Sequence, residues 1–516
     1  MSNTSLSPAR TIKSLLLTTI IIFATMTIAL PALTLATSVG FQFVPLVSVA
    51  PDDPAGFTVT NPACTSPTPI HTSAFLHCYT PNDIYTAYNV ARLHQQGITG
   101  KGQTIIIVDS YGSPTALQDL QFFSTTFGLP APDLTVINPD GTPAFNNAQM
   151  GIQVGWAFET SLDLQWSHAI APDAKLVLVE ANPAETEGVQ GFPSMFKGEA
   201  MAISQFPGSV MSQSFAVTEQ SFCGGSVLST TCSAATTQIS MFNQVYQQAL
   251  ANHVTVFASS GDSGTANIER AAGVSAGPLL PFPTVQWPSA DPLVTSAGGT
   301  WLQSDWKWDP TVTTDTFNSC LASGASFNTC AATYLNFNTG TGRTEAVWKE
   351  DWAGIATGGG RSTIFSTPSF QSGISSSLLQ GSRGLPDLSW NAAVNGGVLT
   401  FTSFAGARVG WHIIGGTSAS SPQLAGLVAL TNQLAASKNK GPVGYLNPLL
   451  YKLPSRDFND IVPLTFGTGA GVTTLADNSE LGTGIPGMPT TVGWDLTTGF
   501  GTPIADNFVD DLVAAL

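Results

Sequence analysis

The sequence predicts an α/β fold with a doubly wound, mainly parallel central sheet and helices on both faces. Continuous apolar runs at Thr104–Val108, Lys175–Glu180 and Val254–Phe257 suit strands covered on both sides. Helical stretches alternate with them, at Leu117–Phe127, Gly155–His168, Ser194–Gln205 and Thr236–Ala251, which is the pattern of parallel strands joined by helical crossovers. Ser209–Ser214 adds a further strand, and no internal repeat interrupts the series.

At the amino terminus, Arg10 and Lys13 precede an apolar run, Leu15–Leu30, followed by Pro31, Thr34 and Ala36. Residues 1–36 are expected to act as a signal peptide cleaved after Ala36. The run is also near the length of a membrane span, so an uncleaved anchor is the alternative. In both cases the remainder is expected outside the cytoplasm, secreted or held at the outer face of a membrane. Residues 37–78 form a short segment rich in Pro, Thr and Ser, and 79–516 are expected to be one large folded domain. Six cysteines fall in short-range couples, and the expected disulfides are Cys64–Cys78, Cys223–Cys232 and Cys320–Cys330. No C-x-x-C occurs, which argues against zinc or redox roles.

Lys and Arg number 17 against 33 Asp and Glu, for a net charge of −16, and this excludes nucleic acid as a partner because nothing neutralises phosphates. Charged residues make up only 10% of the chain, which limits self-repulsion in acid. A sticky adhesive surface protein would share that composition.

Three motifs carry chemistry. In Gly416-Thr417-Ser418-Ala419-Ser420-Ser421-Pro422, small residues lead to a serine, and an apolar helical pattern follows through Leu424, Leu427, Val428 and Leu434. That arrangement sets a hydroxyl at a helix N-terminus, beside N–H groups able to hold an oxyanion. None of the six histidines lies in an H-G-T-H setting, so the base has to be another group. Glu159 and Asp163 are four residues apart, on one helix face, among Trp156, Phe158, Leu162 and Trp166. In a pocket such a pair shares a proton and one pKa rises; on a solvated helix it would be two ordinary carboxylates. Asp262, in Ser260-Gly261-Asp262-Ser263-Gly264, follows the run Val254–Phe257, where open α/β sheets place their sites; alone, the motif reads equally as a turn.

Together, E-x-x-x-D-x-x-W at Glu159–Trp166, S-G-D-S-G at Ser260–Gly264 and G-G-T-S-A-x-x-P at Gly415–Pro422 resemble the sedolisin family of serine-carboxyl peptidases, which have a subtilisin-like fold. The resemblance extends to Asp460-Ile461 and Gly493–Gly501. Fainter echoes are Thr80–Val90, Ala290–Thr300 and Arg383–Asp387. It implies a domain over 79–516 that hydrolyses protein or peptide substrates, with Ser418 as nucleophile, Glu159 as general base, Asp163 orienting Glu159, and Asp262 in the oxyanion hole. It also implies one structural calcium ion, held by Asp460 and Asp495 and by carbonyls of Ile461, Thr491 and Gly493. Members often carry glycine where this chain has Thr491. The Ser209–Ser214 strand would offer its edge to an extended substrate.

Acid suits these roles. A carboxyl titrates near pH ~4, and an aspartate donates to an oxyanion only when protonated. Ahead of residue 79 the expectation is a short Pro/Thr/Ser-rich segment, 37–78, in place of the full propeptide domain usual in the family. A monomer is expected. Two alternatives stay open: a subtilisin-type triad of Asp109, His168 and Ser418, with Asp109 otherwise structural or part of the site's floor, and a catalytically silent extracellular binding module.

Overall fold

The computed structural model describes residues 78–516 apart from 146–149, 183–190, 223–232, 269–278, 308–322, 324–337, 352, 395, 405–408, 467–472 and 481, together with three two-residue strands ahead of Cys78. The predicted export segment therefore lies outside the described residues. Among those described, no helix is long and apolar enough to cross a membrane. Cys78 is disulfide-bonded; the other five cysteines, and so the expected pairings, lie outside the described residues.

The apolar runs form strands because both of their faces are covered. In β1 (Thr104–Ser110), Ile105 and Ile107 enter one core, while Ile106 and Val108 enter the other. Further along lie β2 (Asp133–Ile137) and β3 (Lys175–Ala181), where Leu176 and Leu178 face the first core and Val177 and Val179 the second. The remaining strands of this sheet are β4 (Val210–Gln213), β5 (Thr255–Ser259), β6 (Thr295–Lys307), β7 (Asn338–Val347) and β8 (Leu388–Asn391). Their order is β7-β6-β5-β4-β1-β3-β2, with β8 also paired to β6, in one eight-stranded sheet. Every pairing is parallel except β6 with β7. The chain adds β3 and β2 on one side of β1, and β4, β5 and β6 on the other. The carboxyl ends of β1 and β4 thus flank the reversal in strand order, where doubly wound sheets bind ligands.

The helices run slightly longer than their apolar cores suggested: α1 (Ala116–Phe127), α2 (Met150–Ile170), α3 (Phe192–Gln205) and α4 (Ser233–Ala251). After them come α5 (Thr417–Ser437) and α6 (Ala505–Ala515). Side chains of α1, α2, α5 and α6 build the first core, and those of α3 and α4 the second. The central helices α2 and α5 pack closely: a Cβ at Gly426 would lie 2.7 Å from Ile170 Cβ.

A second sheet, not anticipated from the sequence, pairs β9 (Gly397–Thr402) antiparallel with β10 (Gly410–Ile414). It is hooked onto α2. Gln165 donates to the Phe401 carbonyl at 2.7 Å and accepts from the Phe401 N–H at 2.9 Å, while Trp166 Nε1 donates to Leu399 O at 2.9 Å. Because β10 runs directly into Gly415 and Gly416, these bonds fix α2 relative to the start of α5. The Arg383–Asp387 stretch is a strut. Its two charged ends form a fully buried ion pair at 2.6 Å, and Asp387 also accepts from Ser296 N in β6 and from Tyr451 Oη.

Candidate active site

The turn after β5 and the start of α5 are locked into one unit. Asp262 Oδ1 accepts hydrogen bonds from Thr417 N at 2.7 Å and Thr417 Oγ1 at 2.8 Å, and Thr417 Oγ1 in turn accepts from Gly261 N at 3.0 Å. Glycine is required at 416: its φ is +110°, and a Cβ there would approach Asp262 Oδ2 to 2.8 Å. Gly261 has φ +105°, and a Cβ on it would reach 2.3 Å from Gln286 Oε1. Ser418 follows in the first turn of α5, only 5% exposed. A hydroxyl contact, Ser212 Oγ to Ser421 Oγ at 2.8 Å, ties the end of β4 to the same turn.

Glu159 and Asp163 are completely buried on α2, one turn apart. Burial, then the charges of Asp163 and Asp109, hold the Glu159 carboxyl well above its usual range, and the Ser418 hydroxyl draws it partly back. Asp163 is likewise raised well above its usual range, by burial and by Asp109, with Ser214 opposing. Asp109, at the end of β1, is pushed up to about 8, chiefly by burial; Thr160 opposes this and Glu180 adds to it. No carboxylate oxygen of Asp109, Glu159 or Asp163 has a hydrogen-bond partner. The Ser418, Ser214 and Thr160 hydroxyls therefore sit close enough to favour charge on these groups without closing a full hydrogen bond. Asp262, also buried, is raised to about 6 by desolvation, against the pull of Thr417. Buried carboxyls this close, with no cation beside them among the described residues, cannot all ionise at once, and Asp109, Glu159 and Asp163 titrate as an interacting set.

The structure thus brings together Ser418, Glu159, Asp163 and Asp262, and it adds Asp109 as an electrostatic partner of the pair on α2 rather than mere floor. The signal for Asp109 was a carboxyl ending an apolar strand. A histidine triad is not assembled. His168 packs its Nε2 against Pro130 O at 3.1 Å, its charged neighbour is Asp173, and the group that meets Ser418 is Glu159. The expectation that the Ser209–Ser214 strand offers an edge is corrected. Val210–Gln213 is hydrogen-bonded to β1 on one side and β5 on the other, so it offers no free edge to a substrate.

Asp460 and Asp495 converge on one loop. Asp460 accepts from Gly493 N at 2.8 Å, and Asp495 accepts from Thr491 N at 2.9 Å as well as from Thr497 N and Thr498 N. Asp495 is fully buried without a cationic partner, Ile461 is buried, and Thr491 and Gly493 are exposed. Two hard carboxylates on one glycine-bearing loop, with no lysine or arginine paired to them among the described residues, have the donor chemistry calcium takes. Among the described residues, no group of three or more His, Cys, Asp or Glu side chains could hold a metal ion, so a site here depends on carbonyls.

No family model matches the chain. Kumamolisin from Bacillus sp. (strain MN-32) is 30% identical over 446 residues, covering 86% of this chain and 65% of kumamolisin. Tripeptidyl-peptidase 1 from Dictyostelium discoideum is 34% identical over 164 residues, covering 30% of this chain and 24% of that protein. The chain therefore spans less than two thirds of the length of either relative. Among solved structures, Pseudomonas sedolisin, a serine-carboxyl proteinase, superposes with a TM-score of 0.58 at 23% identity, over 84% of this chain and 97% of that one, and shares the fold. The match to kumamolisin over 86% of this chain, with the motifs in order from Glu159 to Asp495, supports the sedolisin family for this chain.

Proposed function

We propose that the protein is an acid-acting serine-carboxyl peptidase. The observation that carries this reading is Ser418 facing Glu159 inside a cluster of buried carboxyls, with Asp262 locked to the same helix start. Ser418 Oγ attacks the peptide carbonyl carbon, and its proton passes to Glu159. The oxyanion that forms sits at the N-terminus of α5, where N–H groups and the protonated Asp262 donate to it. As the C–N bond breaks, Glu159 returns the proton to the leaving amine, and water then hydrolyses the acyl-serine by the same steps. Asp163, itself held protonated by burial, keeps Glu159 oriented. Endopeptidase cleavage is the form proposed. Release of tripeptides from a free N-terminus, as the names of several relatives indicate for those proteins, is the alternative that fragment masses distinguish.

One calcium ion, bound by Asp460, Asp495 and the carbonyls of Ile461, Thr491 and Gly493, would cross-link the carboxyl-terminal loops. The protein would be exported as a monomer, with disulfides tying its loops.

The test is hydrolysis of a denatured protein from pH 2 to 8 by wild type, Glu159→Gln and Ser418→Ala. Activity is expected in acid, near pH ~3–5, and lost in both variants. Activity near neutral pH that survives Glu159→Gln would refute the glutamate base. A folded wild type without activity would favour the binding module.

A further inference from the structure

Next to the catalytic turn lies a cavity of about 440 Å³, lined by Pro283, Thr284, Arg361, Ser362, Thr363 and Met488 among others. Its walls are anchored on the site. On one side, Ala356 N donates to Asp262 O at 2.9 Å, Gly358 N to Gly261 O at 2.7 Å, and Ser260 Oγ to Gly358 O at 2.8 Å; two residues later Gly360, at φ +142°, turns the chain into the wall strand Gly360–Ser366. On the other side, Pro283 and Thr284 lead into Gln286–Trp287, which pairs with Val217–Thr218 just beyond the end of β4. The cavity thus opens between the turn that carries Asp262 and the chain that extends β4.

The wall is held from behind. The buried Glu219 accepts from Thr363 N at 2.7 Å, from Thr363 Oγ1 at 2.9 Å and from Ser362 Oγ at 2.5 Å, so its oxygens are spent on the wall rather than turned to the cavity. Arg361 is different. Its Nε donates to Leu378 O at 2.6 Å, and among the described residues no carboxylate pairs with its guanidinium. Burial alone lowers its pKa, with no neighbouring charge contributing. Its planar fork of donors matches a carboxylate.

We propose that the cavity is a substrate subsite that receives a peptide carboxylate on Arg361, either an acidic side chain or the free C-terminus. The proposal rests on the peptidase reading above, and the experiment keeps the two apart. Binding is measured by calorimetry near pH ~6, where peptide carboxylates are ionised, on full-length Ser418→Ala protein. The probes are a neutral, C-terminally amidated peptide, the same peptide with Glu replacing Gln at successive positions, and the neutral peptide with a free C-terminus. Hydrolysis by wild type, read separately, decides the peptidase reading.

One carboxylate peptide is expected to bind roughly tenfold or more tighter than the neutral one, the yield of one charge-assisted pair. That advantage is expected to vanish with Arg361→Met while neutral-peptide affinity stays. Which probe gains tells whether a side chain or the C-terminus enters. Arg361→Lys should keep part of the preference, and added salt should erode it; these two arms stand even if Arg361→Met fails to fold. Equal binding of all probes, or a preference that persists in Arg361→Met or is untouched by salt, would overturn the proposal.

Discussion

Replacing Asp262 with asparagine isolates one carboxyl of the site. Asp262 is buried, and its pKa is raised from an ordinary 3.8 to about 6. That gap of about two pH units corresponds to about 3 kcal/mol of differential stability. The sign follows from proton counting. Between pH ~4 and ~6 the unfolded chain has lost this proton while the folded chain retains it, so stability is fully present below pH ~4 and falls as pH rises through ~6. Asparagine keeps an Oδ1 to accept from Thr417 N and Oγ1 and places an amide where the protonated oxygen lay, but it does not titrate. In a Ser418→Ala background, which prevents self-digestion, urea unfolding is expected to show Asp262→Asn gaining about 3 kcal/mol on its parent between pH 4 and pH 7. The other buried carboxyls are common to both proteins and largely cancel. A stability difference that stays constant across that range would refute the claim that Asp262 is protonated in the folded state under acid conditions.

Other outcomes follow from the same geometry. Thr417→Val removes a hydroxyl that lowers the Asp262 pKa, so the alkaline limb of activity is expected to move upward, with a stability loss of about 1–2 kcal/mol; a pH–rate profile and urea melts read both. Gly426→Ala forces a methyl to within 2.7 Å of Ile170 Cβ and is expected to cost about 1–3 kcal/mol by prying α5 from α2, measured by thermal unfolding. If calcium occupies the Asp460–Asp495 loop, EGTA is expected to lower the melting temperature of wild type and to leave that of Asp495→Ala unmoved.

Local chemistry explains what could be read ahead of the structure. Apolar runs without alternation marked β1, β3 and β5, because each is covered on both faces. The four-residue spacing fixed Glu159 and Asp163 to one helical face, and the run of small residues before Ser418 marked the start of α5. What stayed hidden depends on chain segments far apart in sequence. The β9–β10 sheet is held by Gln165 and Trp166, more than 230 residues upstream of its strands. The central position of β4 is a property of sheet order, which no local pattern encodes, and the expectation of a free edge failed for that reason. The Arg361 cavity is built from segments around residues 283, 361 and 488.

Asp109 joins both kinds of reading. Its identity as a carboxyl ending a strand was plain, but its effect on Glu159 and Asp163 arises only when β1 and α2 pack. In the proposed mechanism that packing underlies the expected dependence on acid. Among the described residues no histidine meets the nucleophile, and the groups around it are carboxyls whose pKa values burial and mutual repulsion raise. A glutamate with an ordinary pKa would be a weak base toward a serine hydroxyl. Raising that pKa by burial and by neighbouring acids strengthens Glu159 as a proton acceptor, provided its neighbours hold their own protons. The same burial keeps Asp262 able to donate. In the proposed mechanism one physical cause, desolvation of acidic groups at the switch point of the sheet, supplies both the base and the oxyanion donor, and loss of the Asp262 proton sets the alkaline limit.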